Sequence, residues 1–459
     1  MFVLVYKRSL IQIEFSIMSE NTFAAFRNRL GFTLANFYFI ILAILLIFEI
    51  KLFTTWRANF DPHQLVYYFF GVQLLISILP LILIKNKAIT MANAWQWTRS
   101  IPLSITAFFG LFYGFRLLKP LFDSVPIRSN ESDIIPQIQR FCKEMVAGRF
   151  PYTPFDDFGW HMTPTYLPAQ WLPYLPIEFT KIDPRVITFS IFALVFLFFA
   201  LKITQNGVSF LKGLFLLAMP IFLISVTLDK DPHVWSITVE QLIMAYYLLL
   251  GISLTTASRG FQISAIVLCL MSRFSLIFWL PLYVFMLWTK EGTRPTIKFC
   301  AWIAAGCALI YGPFLLHDPH IFSNAQAYYD LATVASWESS DKPDALYHGF
   351  AFSIYFFEAS ANKAFQIALL KKYLFIITPS VSVLLGLIWW KFKDKLDFSL
   401  FALCTLKISL GVFYSLMTIP YSYLYVTPII MSLAILYRVS VLQRASCRLL
   451  SAQSVFKAL

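Results

Sequence analysis

Charge is scarce in this chain: 13% of its 459 residues are Asp, Glu, Lys or Arg, against about 25% in an ordinary soluble domain. That excludes a water-soluble globule, which needs far more polar surface. Cysteine is sparse too. Of six, Cys269, Cys300, Cys307 and Cys404 fall in apolar stretches, while Cys142 and Cys447 fall in loops expected on opposite sides, so no disulfide framework is implied. The six histidines do not make a zinc site: His317 and His320 are close together in a Pro-containing turn and His348 is distant. No small-residue cleavage site follows the first apolar stretch, which argues against a cleaved signal peptide, with Met18 as an alternative start. No internal repeat is evident, which argues against an inverted-repeat transporter. The formal charge of +13 sits in short clusters between apolar spans and not along one face, so nucleic acid is not an expected partner.

What is abundant is apolar and aromatic: 59% hydrophobic residues, with 48 Phe, 22 Tyr and 12 Trp. Apolar segments near 33–50, 65–84, 101–118, 186–204, 210–227, 237–256, 297–316, 372–390, 398–416 and 421–437 are each long enough to span a bilayer as a helix of about 20 residues. The fold class expected is all-α: a polytopic membrane protein of about 10 full transmembrane helices, outer-surface juxtamembrane helices and a half-helix hairpin. The hairpin is the reading of 260–288, an apolar stretch interrupted by Ser272 and Arg273. Treating it as one crossing would place the basic loop containing Lys391, Lys393 and Lys395 outside. Two half-helices put that loop inside and concentrate Lys and Arg on the inner side, as the positive-inside rule requires. With the amino terminus inside, 1–30 is an inner tail, 31–438 a single membrane domain with outer loops near 119–185 and 317–371, and 439–459 a second inner tail. All the histidines then lie outside: His63, His161, His233, His317, His320 and His348.

The first outer loop contains SNESDIIPQIQRFCKEMVAGRFPY. Ile134, Ile138, Phe141 and Met145 recur at helical spacing, so the segment reads as an amphipathic helix lying on the membrane. Ser132 or Asp133 can cap it, Pro136 is tolerated in its first turn, and Gly148 can end it. A carboxylate at that place suits removal of a proton from an acceptor hydroxyl. The competing reading is a plain helix cap, and a helix amino terminus would lower the carboxyl pKa. Downstream, Pro164, Pro168, Pro173 and Pro176 break the chain into short elements, which survive at membrane depth only beside protein or a wet cavity. Asp156, Asp157, His161, Tyr166 and Trp171 are candidates to line it, against a polar turn with interfacial aromatics.

This loop resembles the first outer loop of GT-C superfamily integral-membrane glycosyltransferases, in particular the polyprenol-phosphate-mannose-dependent mannosyltransferases. The resemblance rests on Ser132-Asp133, the helix, Gly148 to Pro151-Tyr152, and Thr165-Tyr166-Leu167-Pro168. Many relatives carry adjacent acids here, whereas Ser132 separates Glu131 from Asp133. The resemblance implies that Asp133 is the catalytic base, with Glu131, Tyr152 and Tyr166 beside the substrate. It also implies that a basic residue holds the donor's lipid phosphate, for which Arg273 at the hairpin tip is the candidate. Pairing of Arg273 with Glu240 is the structural alternative, since a cation in the membrane needs a partner. Lys407 is expected to snorkel or pair structurally.

Asp229, Asp231 and His233 in LDKDPHVW can complete a sugar site or form a solvated turn. His348 with Tyr347, in a second loop suited to acceptor recognition, is a donor-contact candidate. Lipid-phosphate donors leave no diphosphate to chelate, so neither metal nor cofactor is expected.

The expected activity is transfer of a hexose, mannose by default, from a polyprenyl-phosphate donor to a lipid or glycan acceptor at the outer face of the bacterial cytoplasmic (inner) membrane, with inversion. The alternatives are a flippase or transporter of lipid-linked glycans and a lipid-glycan polymerase or ligase. Short basic inner loops without a nucleotide fold argue against a nucleotide-sugar enzyme.

Overall fold

In the computed structural model, residues 20–54, 59–84 and 97–456 are described. The tail at 1–19, with Met18, lies outside them. The chain is all-α and carries, among the described residues, nine helices long and apolar enough to cross a membrane. It is a multi-pass integral membrane protein.

Helix α1 is Glu20–Thr54, whose apolar part is Asn36–Thr54, and α2 is Pro62–Leu83. The side chain of Asp61 caps α2. Helix α3, Trp97–Ser124, runs into the first large loop, in which α4 is Ile134–Val146. Next come α5, Pro184–Gln205, and α6, Phe210–Lys230. Helix α7, Glu240–Leu254, is short and buried almost throughout. Beyond the hairpin described below, α10 is Thr293–His317, α11 Ile321–Glu338, α12 Ser353–Ala359, α13 Lys363–Phe392, α14 Phe398–Ser415 and α15 Val426–Phe456. The second large loop thus ends nearer 362 than 371. Helix α1 begins inside the segment read as the inner tail, and α15 continues through most of 439–459.

The stretch 260–288 is a hairpin. Helix α8, Arg259–Leu270, and helix α9, Leu280–Glu291, are joined by a 3-10 turn, Phe274–Phe278. Arg273 at the break is extended, with φ −152° and ψ 141°. An ion pair between Arg259 and Glu291 holds the free ends of the two arms together, so the chain returns to the side from which it entered.

Burial sorts the spans. The window of the last span, Ser422–Gln443, is 94% buried, against 22% for Thr293–His317, so α15 is central and α10 faces lipid. In the interior, Lys407 donates to Glu49 at 2.6 Å and to the Pro428 carbonyl at 2.8 Å, while Ser432 donates to the other Glu49 oxygen at 2.6 Å. Lys407 is therefore structurally paired. Loops 125–183, 231–239 and 318–362 gather at one end of the bundle, which we term the loop side. Arg185 donates to the carbonyls of Phe122, Val125 and Ser236 there, and His63 on α2 reaches Glu358 at 2.8 Å.

Candidate functional site

Helix α4 forms because its apolar residues recur at helical spacing, and it ends in a Schellman turn. Gly148, at φ 69°, bonds back to the Met145 carbonyl, and Arg149 bonds to that of Glu144. Its buried face is Ile134, Ile135, Gln137, Ile138, Phe141, Cys142 and Glu144. Met145, expected on that face, is exposed. The difference arises because the helix lies on the proline-broken elements of its own loop: Phe141 stacks on Trp171 with centroids 5.1 Å apart. Arg140 and Arg149 neutralise the buried Glu144.

Asp133 occupies the N-cap position, yet its side chain makes no capping hydrogen bond. Ser132 does that work, its Oγ accepting from the Ile134 N–H at 3.3 Å. The Asp133 carboxyl is half-buried, and the N–H that it faces is its own and not one of the helix's first turn. Burial raises its pKa above the ordinary carboxylate value. This is opposite to the lowering expected from the helix amino terminus: desolvation outweighs a dipole that acts through an unmade cap bond.

Pro168 opens the short helix Pro168–Trp171, Pro173 lies in the 3-10 turn Leu172–Tyr174, and Pro176 precedes the helix Ile177–Thr180. Tyr152 is buried under this segment. Its hydroxyl donates to the Tyr166 carbonyl at 3.0 Å and accepts from Trp171 Nε1 at 3.1 Å. Tyr152 therefore positions Tyr166, its hydroxyl proton being committed to the Tyr166 carbonyl. The same segment docks on the hairpin: the Ala169 N–H donates to the Met271 carbonyl at 2.9 Å, and Tyr246 donates to the Ala169 carbonyl at 3.0 Å.

Two residues beyond Met271, Arg273 pairs with Glu240 at the start of α7. Arg273 Nη1 also donates to the Tyr414 hydroxyl at 3.4 Å, and Ser275 links Tyr414 to Tyr247. The pairing weighed as an alternative for Arg273 is thus present. Glu240 is 2% exposed, and its second oxygen has no partner. Tyr166 feels both the Asp133 and the Arg273 charge. Burial pushes its phenol well above the ordinary range; the Asp133 carboxylate adds to the shift and the Arg273 guanidinium opposes it. Tyr166 therefore stays protonated and can donate a hydrogen bond.

Tyr328 and Tyr421 belong to other loops, and burial together with the Asp133 charge raises both phenols. Tyr421 stacks on Tyr423 at 5.3 Å with ring planes 10° apart. These tyrosines were missed in the sequence. PYSYLY at 420–425 was the available signal, but beside an apolar span it reads as an interfacial belt.

The remaining candidates have other environments. Glu131 is exposed. His161 bonds Asp156 at 3.0 Å in an exposed turn closed by a Phe155–Met162 bridge, and Asp157 pairs with Arg140 at 2.7 Å. Asp229 pairs with its neighbour Lys230, Asp231 accepts from Ser422 at 2.9 Å, and His233 is exposed. His348 pairs with Asp344, whereas Tyr347 turns to Glu358 at 2.6 Å, so those two do not act as one unit. His317 stacks on Phe150 at 4.0 Å. Among the described residues, no three His, Cys, Asp or Glu side chains converge as for a metal ion.

Compared with known proteins, the chain matches no protein-family model, no curated protein and no solved structure.

Proposed function

We propose that this membrane protein is a glycosyltransferase of the GT-C type. It would move a hexose, mannose by default, from a polyprenyl-phosphate donor to an acceptor hydroxyl on the extra-cytoplasmic side of a bacterial inner membrane. The observation that carries the reading is a half-buried carboxyl, Asp133, that makes no helix-capping bond and whose charge acts on the same tyrosine, Tyr166, as a guanidinium in the membrane, Arg273.

In this reaction the acceptor oxygen attacks the anomeric carbon from the face opposite the phosphate, inverting it. The bond from that carbon to the phosphate oxygen breaks, and the electron pair leaves with the lipid phosphate. The acceptor proton passes to Asp133, whose raised pKa makes it a stronger base than an N-capping carboxylate would be. Arg273 meets the charge growing on the phosphate. Helices at the membrane side of the site keep the lipid tail in the bilayer while the loops hold the sugar.

The test is purified protein in nanodiscs with labelled polyprenyl-phosphate-mannose and a panel of acceptors. Label transferred to an acceptor supports the reading. Movement of the lipid between leaflets with no transfer would replace it with a flippase.

A further inference from the structure

The aromatic groups around Asp133 come from three separate loops. The turn Phe155–Met162 carries Trp160 at its tip, 42% exposed and tilted at 60° against Phe158 with centroids 5.7 Å apart. Gly159 takes φ 89° there, a conformation that favours glycine. Tyr328 on α11 fastens this turn by donating to Met162 Sδ at 2.9 Å, and its hydroxyl is also within hydrogen-bonding reach of Trp160. Tyr421, 41% exposed, adds the outer ring of the stacked pair with Tyr423.

We propose that Trp160, Tyr328 and Tyr421 form a carbohydrate-binding platform, so that the acceptor hydroxyl presented to Asp133 belongs to a sugar ring and not to a simple lipid alcohol. The proposal rests on the transferase reading above. A pyranose has an apolar C–H face and a rim of hydroxyls. Flat aromatic faces suit the first, and the phenol and indole polar groups suit the second. A fatty alcohol would cover the rings but leave the polar groups without partners, which is costly once water is excluded. An interfacial belt turns its rings outward to lipid. Tyr328 and Tyr421 instead stand on elements joined to each other, Trp337 of α11 donating to the Thr418 carbonyl at 2.8 Å, and both phenols feel the charge of the loop helix's Asp133.

The experiment measures saturation-transfer NMR on the full chain in nanodiscs with methyl α-mannoside, methyl β-glucoside and methyl β-galactoside, with no donor present. At least one glycoside should show transfer to its ring protons. Trp160→Ala and Tyr421→Ala should each weaken its binding about three- to tenfold, the value of one aromatic contact. Trp302→Ala, on the lipid-facing side of α10, should leave it unchanged. The proposal is overturned if no glycoside binds, if the two platform variants bind like wild type, or if label passes to 1-octanol in a protein that binds no glycoside. Because the measurement needs no chemistry, glycoside binding without turnover on any acceptor would strike the transferase reading and leave the sugar surface standing.

Discussion

The guanidinium of Arg273 and the carboxylate of Glu240 meet as an ion pair where the hairpin tip touches α7, and one Glu240 oxygen is left without a partner. Buried pairs of this kind contribute little net stability, but breaking one leaves an uncompensated charge. Glu240→Leu and Arg273→Met should each cost about 3–5 kcal/mol, while the double substitution should recover most of that loss. Thermal unfolding in detergent measures it. A double variant no more stable than the worse single one would mean that the two residues do not answer to each other. If Arg273 holds the donor's phosphate, as proposed, transfer activity should stay low in Arg273→Met and in the double variant.

Asp133 holds an N-cap position without capping. Loss of a working cap costs about 0.5–2 kcal/mol, so Asp133→Ala should cost less than about 0.5 kcal/mol, a surface-like change. The raised pKa gives the sign with pH. A carboxyl harder to ionise in the folded state than in the unfolded state favours folding when protonated and loses that advantage as pH rises through the folded pKa. Asp133→Asn should therefore be as stable as wild type or more so at neutral pH, and both variants should lose turnover. Wild-type turnover should fall on acidification at a pH above the ordinary carboxylate range. Full activity in Asp133→Asn would remove the residue from the chemistry.

Tyr152→Phe deletes one oxygen and strands two buried groups, Trp171 Nε1 and the Tyr166 carbonyl. The expected cost is about 1–3 kcal/mol. If Tyr152 positions Tyr166, turnover should fall more than acceptor or donor affinity does. An unchanged melting temperature would show that water replaces the hydroxyl.

Gly349 lies where the second loop meets the 416–425 segment, and a Cβ there would come within 2.6 Å of the Ala345 carbonyl, Pro420 Cγ and the Pro420 carbonyl. Two of those atoms are backbone and cannot swing aside. Gly349→Ala should cost about 1–3 kcal/mol through overpacking and displace neighbouring Tyr421. Its signature is weakened glycoside binding without any change at an aromatic residue. If glycoside binding in the variant matches wild type, Gly349 does not support the platform.

The membrane architecture was legible because it depends on composition and run length. Even the hairpin could be inferred, since basic residues sort across a membrane and Arg273 marked the break. Local features of α4 were legible too: Ser132, Pro136 and Gly148 have narrow backbone roles. Which face of that helix is covered was not, because the covering elements are held by Tyr152 and Trp171, whose partners lie 14 and 19 positions away from Tyr152. The tyrosines around Asp133 were invisible for a related reason. Tyr328 and Tyr421 meet it only through tertiary packing, and singly each resembles any residue of a membrane interface. The Glu49–Lys407 pair, 358 positions apart, could be half read: Lys407 needed a partner, but no local pattern named Glu49.

The Arg259–Glu291 clip makes the hairpin topologically silent. Both arms begin and end on one side, so excising the unit from Arg259 to Glu291 would leave the sidedness of everything after it unchanged, whereas removing a single crossing helix would invert every later loop. The residue at its tip can therefore change without the rest of the membrane insertion having to be rebuilt.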